Sequence, residues 1–378
     1  MIYLDNNATT KVDGEVLKEM LPYYEEFYGN PSNNKNEFGK RVRTVWEDSL
    51  YVIKDCFNAM SINDFVITSG ATESNNLALT GILENDRRTK KHIIVSSIEH
   101  PSILEVCSYW EERGVECTYI PVDKNGIISL EVLESSVKPE TCLISIMSAN
   151  NEIGTIQPIE KIAEIAQKYD VLFHTDATQY LYYSFINVKD IPVDMLSFSA
   201  HKLHGPKGIG GLYINSKVRN KIQPIILGGG QQENLRSGTL NVPGIVGMSK
   251  AMSLLKENQE KINNELIYLR NLLLQQLAEK NKVCINGSVE KRIPNNINIY
   301  FPEVSANVLI ERLADIVFST GSACSSHAIN KNSYVLESIG LNDSQIKSSI
   351  RLGLSKFTKE EEIILAVDKI NSVLEMIR

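Results

Sequence analysis

Lys202 is the first residue whose type and position could do chemistry. It follows an apolar segment, Asp194–Ser199, and stands among histidines and small residues in the run SAHKLHGPKGIGG. A lysine held in a partly desolvated cleft has a lowered pKa, and its neutral amine can form a Schiff base with a carbonyl compound. Because most lysines are exposed, a surface lysine in a glycine-rich turn is the alternative interpretation.

Asp176 follows a second apolar segment, Val171–Thr175. Ligands of α/β proteins bind at the carboxyl ends of the strands, and this aspartate is expected at such an end. A carboxylate there can pair with the pyridinium nitrogen of pyridoxal 5'-phosphate (PLP) when that cofactor acts as an electron sink. The alternative is an aspartate that caps the N-terminus of a helix.

The segment Ser69–Asn76, with the sequence SGATESNN, follows the apolar strand pattern of Asp64–Thr68. A strand, a turn of small residues and the start of a helix form an anion site, because free N–H groups and the helix dipole point at the ligand. Ala71 permits close approach and Thr72 adds a hydroxyl. Equally, Thr72 and Glu73 could only cap the helix. The segment matches neither a Walker A motif nor G-x-G-x-x-G, so it does not imply a nucleotide.

His100 follows the strand pattern His92–Ser96 and precedes a proline. An imidazole at that position can stack on a planar cofactor and exchange protons near neutral pH. The alternative is a loop histidine that starts a helix without a chemical role.

Cys324 stands in a small, polar segment, STGSACSSH, over residues 319–327. Exposure and the nearby His327 favour a reactive thiolate. The alternative is an unremarkable loop cysteine. The other five cysteines lie in apolar or helical surroundings.

Apolar segments alternate with helical patterns along the first two thirds of the chain. Near-continuous apolar strands between helices predict an α/β fold with a mostly parallel sheet covered on both faces. The strands are expected at 64–68, 92–96, 116–121, 142–147, 171–175, 194–199 and 211–215. The helices are expected at 13–28, 36–57, from 72, at 101–113 and at 158–169.

A long helical pattern after Gly247 runs to about Lys280 and leads into a second, smaller α+β unit. At roughly 100–200 residues per domain, a chain of 378 residues predicts about two domains. We expect a large domain over 13–256 and a small domain formed by 1–12 and 257–378. The small domain is expected to hold short strands near 283–286, 295–301 and 316–319, a strand over 349–354 and a helix from 358.

The composition is that of a globular protein, with 43% hydrophobic and 22% charged residues. The net charge of −7 gives no broad basic excess, so we expect no nucleic-acid partner. No window approaches the roughly 18 apolar residues of a membrane span, and no export signal is visible. Six cysteines without a C-x-x-C pair predict reduced thiols, no metal site and a cytoplasmic protein.

Ten segments in a fixed order resemble the cysteine desulfurases, PLP-dependent enzymes of the class-V aminotransferase family with fold type I. The resemblance covers roughly residues 1–375. The loop at 321–326 is similar to that of the members with a long catalytic loop, which serve iron–sulfur assembly and tRNA thiolation. The ten segments are LDNNATT, GNPS, SGATESNN, EHPS, NNEIGT, HTDATQ, SFSAHKLHGPKGIG, GGGQQENLRSGT, GSACSS and SSIRLGLSKFT.

The resemblance implies a role for individual residues around the cofactor. Lys202 is implied as the Schiff-base lysine, Asp176 as the partner of the pyridine nitrogen and Gln179 as a contact of the ring hydroxyl. His100 is implied to stack on the ring and to handle protons. The implied phosphate ligands are Ala71, Thr72, Ser199, His201 and, from a partner subunit, Thr239.

The resemblance also implies the substrate and the reaction. Asn151 and Arg351 are implied to bind the substrate carboxylate, for which a bidentate guanidinium is suited. Asn151 is also implied to contact the cofactor. L-cysteine is then converted to L-alanine, with Cys324 as the sulfur acceptor that carries a persulfide. The implied partners are a second copy of the chain and an acceptor protein for iron–sulfur clusters or tRNA thiolation.

Three features depart from the family pattern. The segment after Gly29-Asn30-Pro31-Ser32 holds no histidine, and position 149 is an alanine where a β-branched residue is usual. We also expect no C-terminal extension of the kind that some members use to dock a scaffold protein.

Three alternatives compete with a desulfurase. A selenocysteine lyase and a class-V transaminase share the fold, and Cys324 argues against a plain transaminase, which needs no thiol there. A thiol-bearing delivery protein without catalysis would lack Lys202 or Asp176, and both are present.

Overall fold

The computed structural model describes residues 1–33, 35–86, 88, 90–302, 304–320 and 332–377, so Cys324 lies outside the described residues. The helices are α1 (Gly14–Met20), α2 (Pro22–Glu25), α3 (Glu37–Phe57), α4 (Ala71–Asn85), α5 (Pro101–Glu111), α6 (Leu130–Ser135), α7 (Ile159–Lys168), α8 (Val242–Lys280), α9 (Ala306–Arg312), α10 (Tyr334–Ser338), α11 (Asp343–Lys347) and α12 (Glu360–Ile377). The strands are β1 (Ile2–Tyr3), β2 (Phe65–Thr68), β3 (His92–Ser96), β4 (Glu116–Ile120), β5 (Thr141–Ser145), β6 (Leu172–Asp176), β7 (Met195–Ser199), β8 (Gly210–Ile214), β9 (Cys284–Ile285), β10 (Asn296–Tyr300), β11 (Ile316–Val317), β12 (Ser319–Thr320) and β13 (Ser349–Gly353).

A seven-stranded sheet with the order β2-β8-β7-β6-β5-β3-β4 forms the centre of the larger unit. Six of its strands run in the same direction, and β8 is antiparallel to both of its neighbours. The α/β fold with a mostly parallel central sheet is therefore confirmed.

Both faces of this sheet are buried except at the edge strand β4, which explains why most of its strands are apolar without alternation. On β3, Ile94 packs into one hydrophobic core, whereas its neighbours Ile93 and Val95 pack into another. Successive side chains of a strand point to opposite faces, so the two cores lie on the two sides of the sheet. The carboxyl ends of the parallel strands are left to carry polar residues.

A four-stranded antiparallel sheet, in the order β12-β13-β10-β9, belongs to the second unit. The chain's first strand, β1, pairs in parallel with β11. The carbonyl of Leu4 accepts from the N–H of Gly353 at 2.7 Å, and Gly353 in turn accepts from the N–H of Asn6 at 3.2 Å. The N-terminal segment therefore lies against residues of the C-terminal unit.

Two helices differ from the sequence-based expectation. The pattern at 13–28 forms two helices, because Pro22 occupies the first position of α2 and has no N–H to continue α1. The long helix begins five residues before Gly247, at Val242, because the Asn241 side chain accepts from the N–H of Gly244 at 3.0 Å and caps it.

Two negative findings hold for the described residues. None of the helices there combines the length and the apolar character that crossing a bilayer requires. In the same ranges, no three His, Cys, Asp or Glu side chains cluster so that they could hold a metal ion.

Candidate active site

Five segments at the carboxyl ends of β2, β3, β5, β6 and β7 line one cavity of about 500 Å³. Ligand sites of open α/β sheets lie at these ends, and the parallel strands bring distant parts of the chain to the same edge. The N-terminal residues Ala8 and Thr9 close another side. The predicted residues that line the cavity are Ala71, Thr72, His100, Asn151, Asp176, Gln179, Ser199, His201 and Lys202.

The start of α4 forms the end of the cavity that suits an anion. Gly70 precedes the helix at φ 155°, and no side chain among the described residues caps this N-terminus. The first N–H groups of the helix, from Ala71 onward, therefore point at the cavity without a side-chain acceptor. A Cβ on Gly210 would lie 2.7 Å from the Cα of Gly70, so only small residues allow this approach. The geometry fits a phosphate group.

Arg236 connects the segment that contains Thr239 to the same helix. Its Nε donates to Oε1 of Glu73 at 2.8 Å. Burial alone raises the pKa of Glu73, but the hydrogen bonds from Arg236 and Ser69 outweigh it and hold the pKa below its usual value. Thr239 itself is exposed and does not line the cavity of its own chain.

Asp176 is buried at the end of β6, and both of its oxygens are held. Oδ2 accepts from Nδ2 of Asn75 at 2.8 Å, and Oδ1 accepts from the N–H of Thr178 at 2.9 Å. The carboxylate is thus fixed in one orientation at the cavity wall. The Oγ1 of Thr178, also in the wall, is buried and has no partner among the described residues, which suits a polar ligand.

Gln179 is held by Asn7, a residue to which sequence reasoning gave no role. Its Oε1 accepts from Nδ2 of Asn7 at 3.2 Å, and its Nε2 donates to the Asn7 carbonyl at 2.9 Å. Asn7 belongs to the segment LDNNATT, which carries part of the family resemblance. Asn7 and Gln179 are 172 residues apart in the sequence. The motif could be seen in the sequence, whereas the pairing could not.

Lys202 reaches the same N-terminal segment. Its Nζ donates to the carbonyls of Asn7, at 2.6 Å, and Ala8, at 2.5 Å. These carbonyls place the amine on the cavity side of the turn after β7. Next to it, Nδ1 of His201 lies 3.1 Å from Oγ1 of Thr9. Burial, together with the positive charges of Lys202 and Lys207, lowers the pKa of His201 to about 4, so its imidazole is neutral.

His100 caps α5 with its own ring. Its Nδ1 accepts from the N–H of Ser102 at 3.1 Å and lies 2.9 Å from the Ser102 hydroxyl. Burial lowers the pKa of His100; Asp176 raises it and Lys202 lowers it further, with a net lowering. The ring lines the cavity beside Asp176 and Lys202 as a neutral imidazole.

Arg351 lies behind the cavity wall and is not part of its lining. Its Nη1 donates to the carbonyl of Asn151 at 3.0 Å, and its Nη2 donates to Oδ1 of Asp5 at 2.9 Å and to Oγ of Ser319 at 3.3 Å. Its Nε is buried without a partner among the described residues. The structure therefore places Arg351 beside Asn151, but most of its N–H donors are already hydrogen-bonded to other groups of the protein.

Sequence reasoning missed three polar residues of this region. Asn7, Asn75 and Ser102 hold the side chains named above and are themselves buried. Asn75 and Ser102 lie inside recognised segments, SGATESNN and EHPS, so their presence was visible but their partners were not.

The family profile described as aminotransferase class-V matches residues 2–365. The chain therefore belongs to the class-V aminotransferase family, whose members depend on PLP.

Proteins that are similar to this chain over its full length point to one group within this family. The cysteine desulfurase IscS of Histophilus somni (strain 129Pt) is 42% identical over 379 residues, which span 100% of this chain and 93% of that protein. A solved NifS-like protein shares 37% identity at a TM-score of 0.93, with 99% of each chain covered. SspA, solved in complex with cysteine, shares 33% sequence identity at a TM-score of 0.85. The match covers 95% of this chain and 100% of that chain. Among the class-V proteins, the chain belongs with the cysteine desulfurases.

The residues of the cavity fit PLP. The uncapped start of α4 offers N–H donors for a phosphate, and the oriented carboxylate of Asp176 can pair with a pyridinium nitrogen. Lys202 offers an amine on the same cavity. The unsatisfied hydroxyl of Thr178 is the kind of buried polar atom that a bound group satisfies.

Proposed function

We propose that this protein is a cysteine desulfurase that converts L-cysteine to L-alanine and transfers the sulfur to Cys324. The observation that carries the proposal is one cavity lined by an amine, an oriented carboxylate, a neutral imidazole and an uncapped helix start: Lys202, Asp176, His100 and α4. Similarity to curated desulfurases and to a protein solved with cysteine supports the choice of substrate.

Each residue of the cavity then has a task toward the cofactor. PLP, when bound, supplies an aldehyde carbon for condensation with amines and a ring that takes up electrons. Asp176 would pair with the ring nitrogen and keep it protonated, and Gln179 would contact the ring hydroxyl. His100 would stack on the ring. The phosphate would be held by Ala71, Thr72, Ser199 and His201, with Thr239 of a second subunit.

Different side chains act on different parts of the substrate. Asn151 and Arg351 orient the substrate carboxylate. The amine of Lys202 would take the proton from the substrate Cα and would return it to that carbon as alanine forms. The Cys324 thiolate then attacks the substrate sulfur: an S–S bond forms, the Cβ–S bond breaks, and its electron pair stays on carbon, which gains a proton and becomes the methyl group of alanine. Cys324 keeps the sulfur as a persulfide.

The proposal includes an assembly and a destination for the sulfur. Two copies of the chain form a dimer with shared sites, which is supported by Thr239 lying outside the cavity of its own chain. The persulfide passes to an acceptor protein for iron–sulfur clusters or tRNA thiolation. A cytoplasmic location is supported by five free cysteines among the described residues, since reduced thiols are typical of that compartment.

The proposed division into domains follows the strand pairing. The large, PLP-binding domain comprises residues 13–256, and the small domain comprises 1–12 and 257–378. The parallel pairing of β1 with β11 supports the assignment of the N-terminal segment to the small domain.

The test is to incubate the purified, PLP-loaded protein with L-cysteine and to measure alanine and sulfide, with and without a reductant. Alanine should form once per site without reductant and continuously with it, because the reductant clears the persulfide. The peptide that holds Cys324 should gain the mass of one sulfur, about 32 Da. Cys324→Ser should form neither the adduct nor alanine.

Other outcomes separate the alternatives. Alanine from selenocysteine but not from cysteine would indicate a lyase, and amino-group transfer to an oxo acid would indicate a transaminase. Full sulfide release by Cys324→Ser would overturn the role of that thiol.

A further inference from the structure

A continuous chain of hydrogen bonds joins His100 to Asp176 below the cavity. Nδ1 of His100 lies 2.9 Å from Oγ of Ser102, which lies 2.8 Å from Nδ2 of Asn75. The same Nδ2 donates to Oδ2 of Asp176 at 2.8 Å. Ser102 and Asn75 are both buried, and Ser102 lines the cavity.

The direction of each bond follows from the donors available. The backbone N–H of Ser102 can only donate, so Nδ1 of His100 must offer a lone pair to it. The carboxylate of Asp176 can only accept, so the NH₂ group of Asn75, not its oxygen, faces it. That NH₂ group also donates to Oγ of Ser102. The hydroxyl proton of Ser102 is therefore available to Nδ1.

Only one form of His100 satisfies this arrangement. A proton on Nδ1 would point at the backbone N–H of Ser102 and break the bond that this group donates. The neutral imidazole must then carry its proton on Nε2.

We propose that Ser102, itself held by Asn75, is a positioning residue that keeps His100 neutral with its proton on Nε2. The inference rests on the proposed function, in which His100 faces the cofactor and the substrate. A His100 held in this form donates a hydrogen bond from Nε2 into the site and takes no proton from the substrate Cα. The amine of Lys202 is then the base of the site.

The charged groups around His100 agree with this form. Asp176, from β6, favours the protonated ring, whereas Lys202, from the turn after β7, opposes it. Burial disfavours the protonated ring, and its effect is larger than that of either charge. The pKa of His100 therefore lies below its usual value.

The experiment reads the protonation of His100 directly, by long-range ¹H–¹⁵N NMR on PLP-loaded protein labelled with ¹⁵N-histidine. His100→Gln assigns the His100 signals. The wild type should be neutral at pH 7–8, with its proton on Nε2. Ser102→Ala keeps the backbone N–H that fixes the neutral form but loses the hydroxyl, so it should keep the proton on Nε2 and raise the titration midpoint by about one unit. Ser102→Thr, which keeps a hydroxyl, should restore the wild-type midpoint.

The matched control is Ser108→Ala on the exposed side of the same helix, α5, which should leave the His100 signals unchanged. A wild-type proton on Nδ1, a charged His100 at neutral pH, or a titration midpoint in Ser102→Ala equal to that of the wild type would each overturn the inference. Alanine formation from cysteine is measured on the same samples. A wild type with the expected spectrum but without alanine would overturn the proposed function and leave the positioning role standing.

Discussion

Arg351 donates a hydrogen bond from Nη2 to Oδ1 of Asp5 at 2.9 Å, although 346 residues separate them along the chain. The guanidinium is buried, and its Nη1 donates to the carbonyl of Asn151. One side chain therefore holds both the N-terminal segment and the loop that carries Asn151. Arg351 thus positions the wall of the cavity in addition to its proposed contact with the substrate carboxylate.

Replacing Arg351 with alanine should affect both binding and stability. Losing the charge-assisted pair with the substrate costs on the order of 2–5 kcal/mol, which raises the KM for cysteine by at least about 30-fold. Loss of the buried partner of Asp5 should also lower the free energy of unfolding by about 3–5 kcal/mol. Steady-state kinetics below the unfolding temperature and urea unfolding measure the two effects, with the PLP content checked throughout.

The control for this prediction is Arg312→Ala, an exposed arginine at the end of α9, which should leave both quantities nearly unchanged. An Arg351→Ala variant with the wild-type KM would exclude the substrate role, even if its stability fell.

Replacing Lys202 with alanine should remove the visible absorption of the bound cofactor. The PLP-loaded wild type should be yellow, because Lys202 holds the cofactor through its amine. The variant should also lose desulfurase activity by at least about 100-fold, since it lacks the base as well. Absorption spectra and alanine assays measure this. Lys161→Ala, an exposed lysine on α7, serves as the control. A Lys202→Ala variant with the wild-type spectrum and turnover would refute the assignment.

Thr239→Ala should weaken PLP binding by about tenfold, because a hydroxyl that donates to a phosphate is lost.

Light scattering should give the mass of two chains. In a mixed dimer of Lys202→Ala with Thr239→Ala, one site would be doubly damaged and the other intact. Differently tagged chains allow this dimer to be isolated, and its PLP content should be about one per two chains. A monomer at micromolar concentration would end the proposal of shared sites.

Glu99 should make stability fall as the pH rises. It is fully buried, and burial raises its pKa from 4.5 to about 8. Between these two values the unfolded chain releases the proton while the folded chain retains it. The contribution of the protonated Glu99 to the free energy of unfolding is therefore fully present below pH 4.5. It is lost progressively as the pH rises to 8, and the free energy of unfolding falls by at most about 1.4 kcal/mol per pH unit.

Glu99→Gln has no proton to release, so its free energy of unfolding should fall less between pH 5 and pH 8 than that of the wild type. Urea unfolding at several pH values measures the slopes. Glu105→Gln, an exposed residue on α5, should keep the wild-type slope. Equal slopes for Glu99→Gln and the wild type would contradict a protonated Glu99.

Local patterns predicted the parts of the site that lie next to a strand end. Lys202, Asp176 and His100 each follow an apolar segment, and the topology of a parallel sheet brings such positions together. The direction of β8 was not predicted, because an apolar run does not show which way a strand points. The ten residues that separate Ser199 from Gly210 are, however, fewer than a parallel crossover requires.

The partners of the site residues depend on contacts between distant segments. Nothing in the sequence around Gln179 points to Asn7, and nothing around Arg351 points to Asp5. Ser102 is adjacent to His100, yet its role depends on Asn75, which comes from another helix. Such pairings are set by tertiary packing, so they appeared only in the structure.

The contact between Leu4 and Gly353 has a consequence for the order in which the cell completes this protein. The ribosome makes Gly353 long after Leu4, so the segment that begins at Leu4 cannot take its final place before Gly353 has been synthesised. Asn7 and Ala8, which bond to Lys202, belong to that segment. The wall of the cavity that Asn7 and Ala8 provide is therefore completed only after Gly353 has been synthesised.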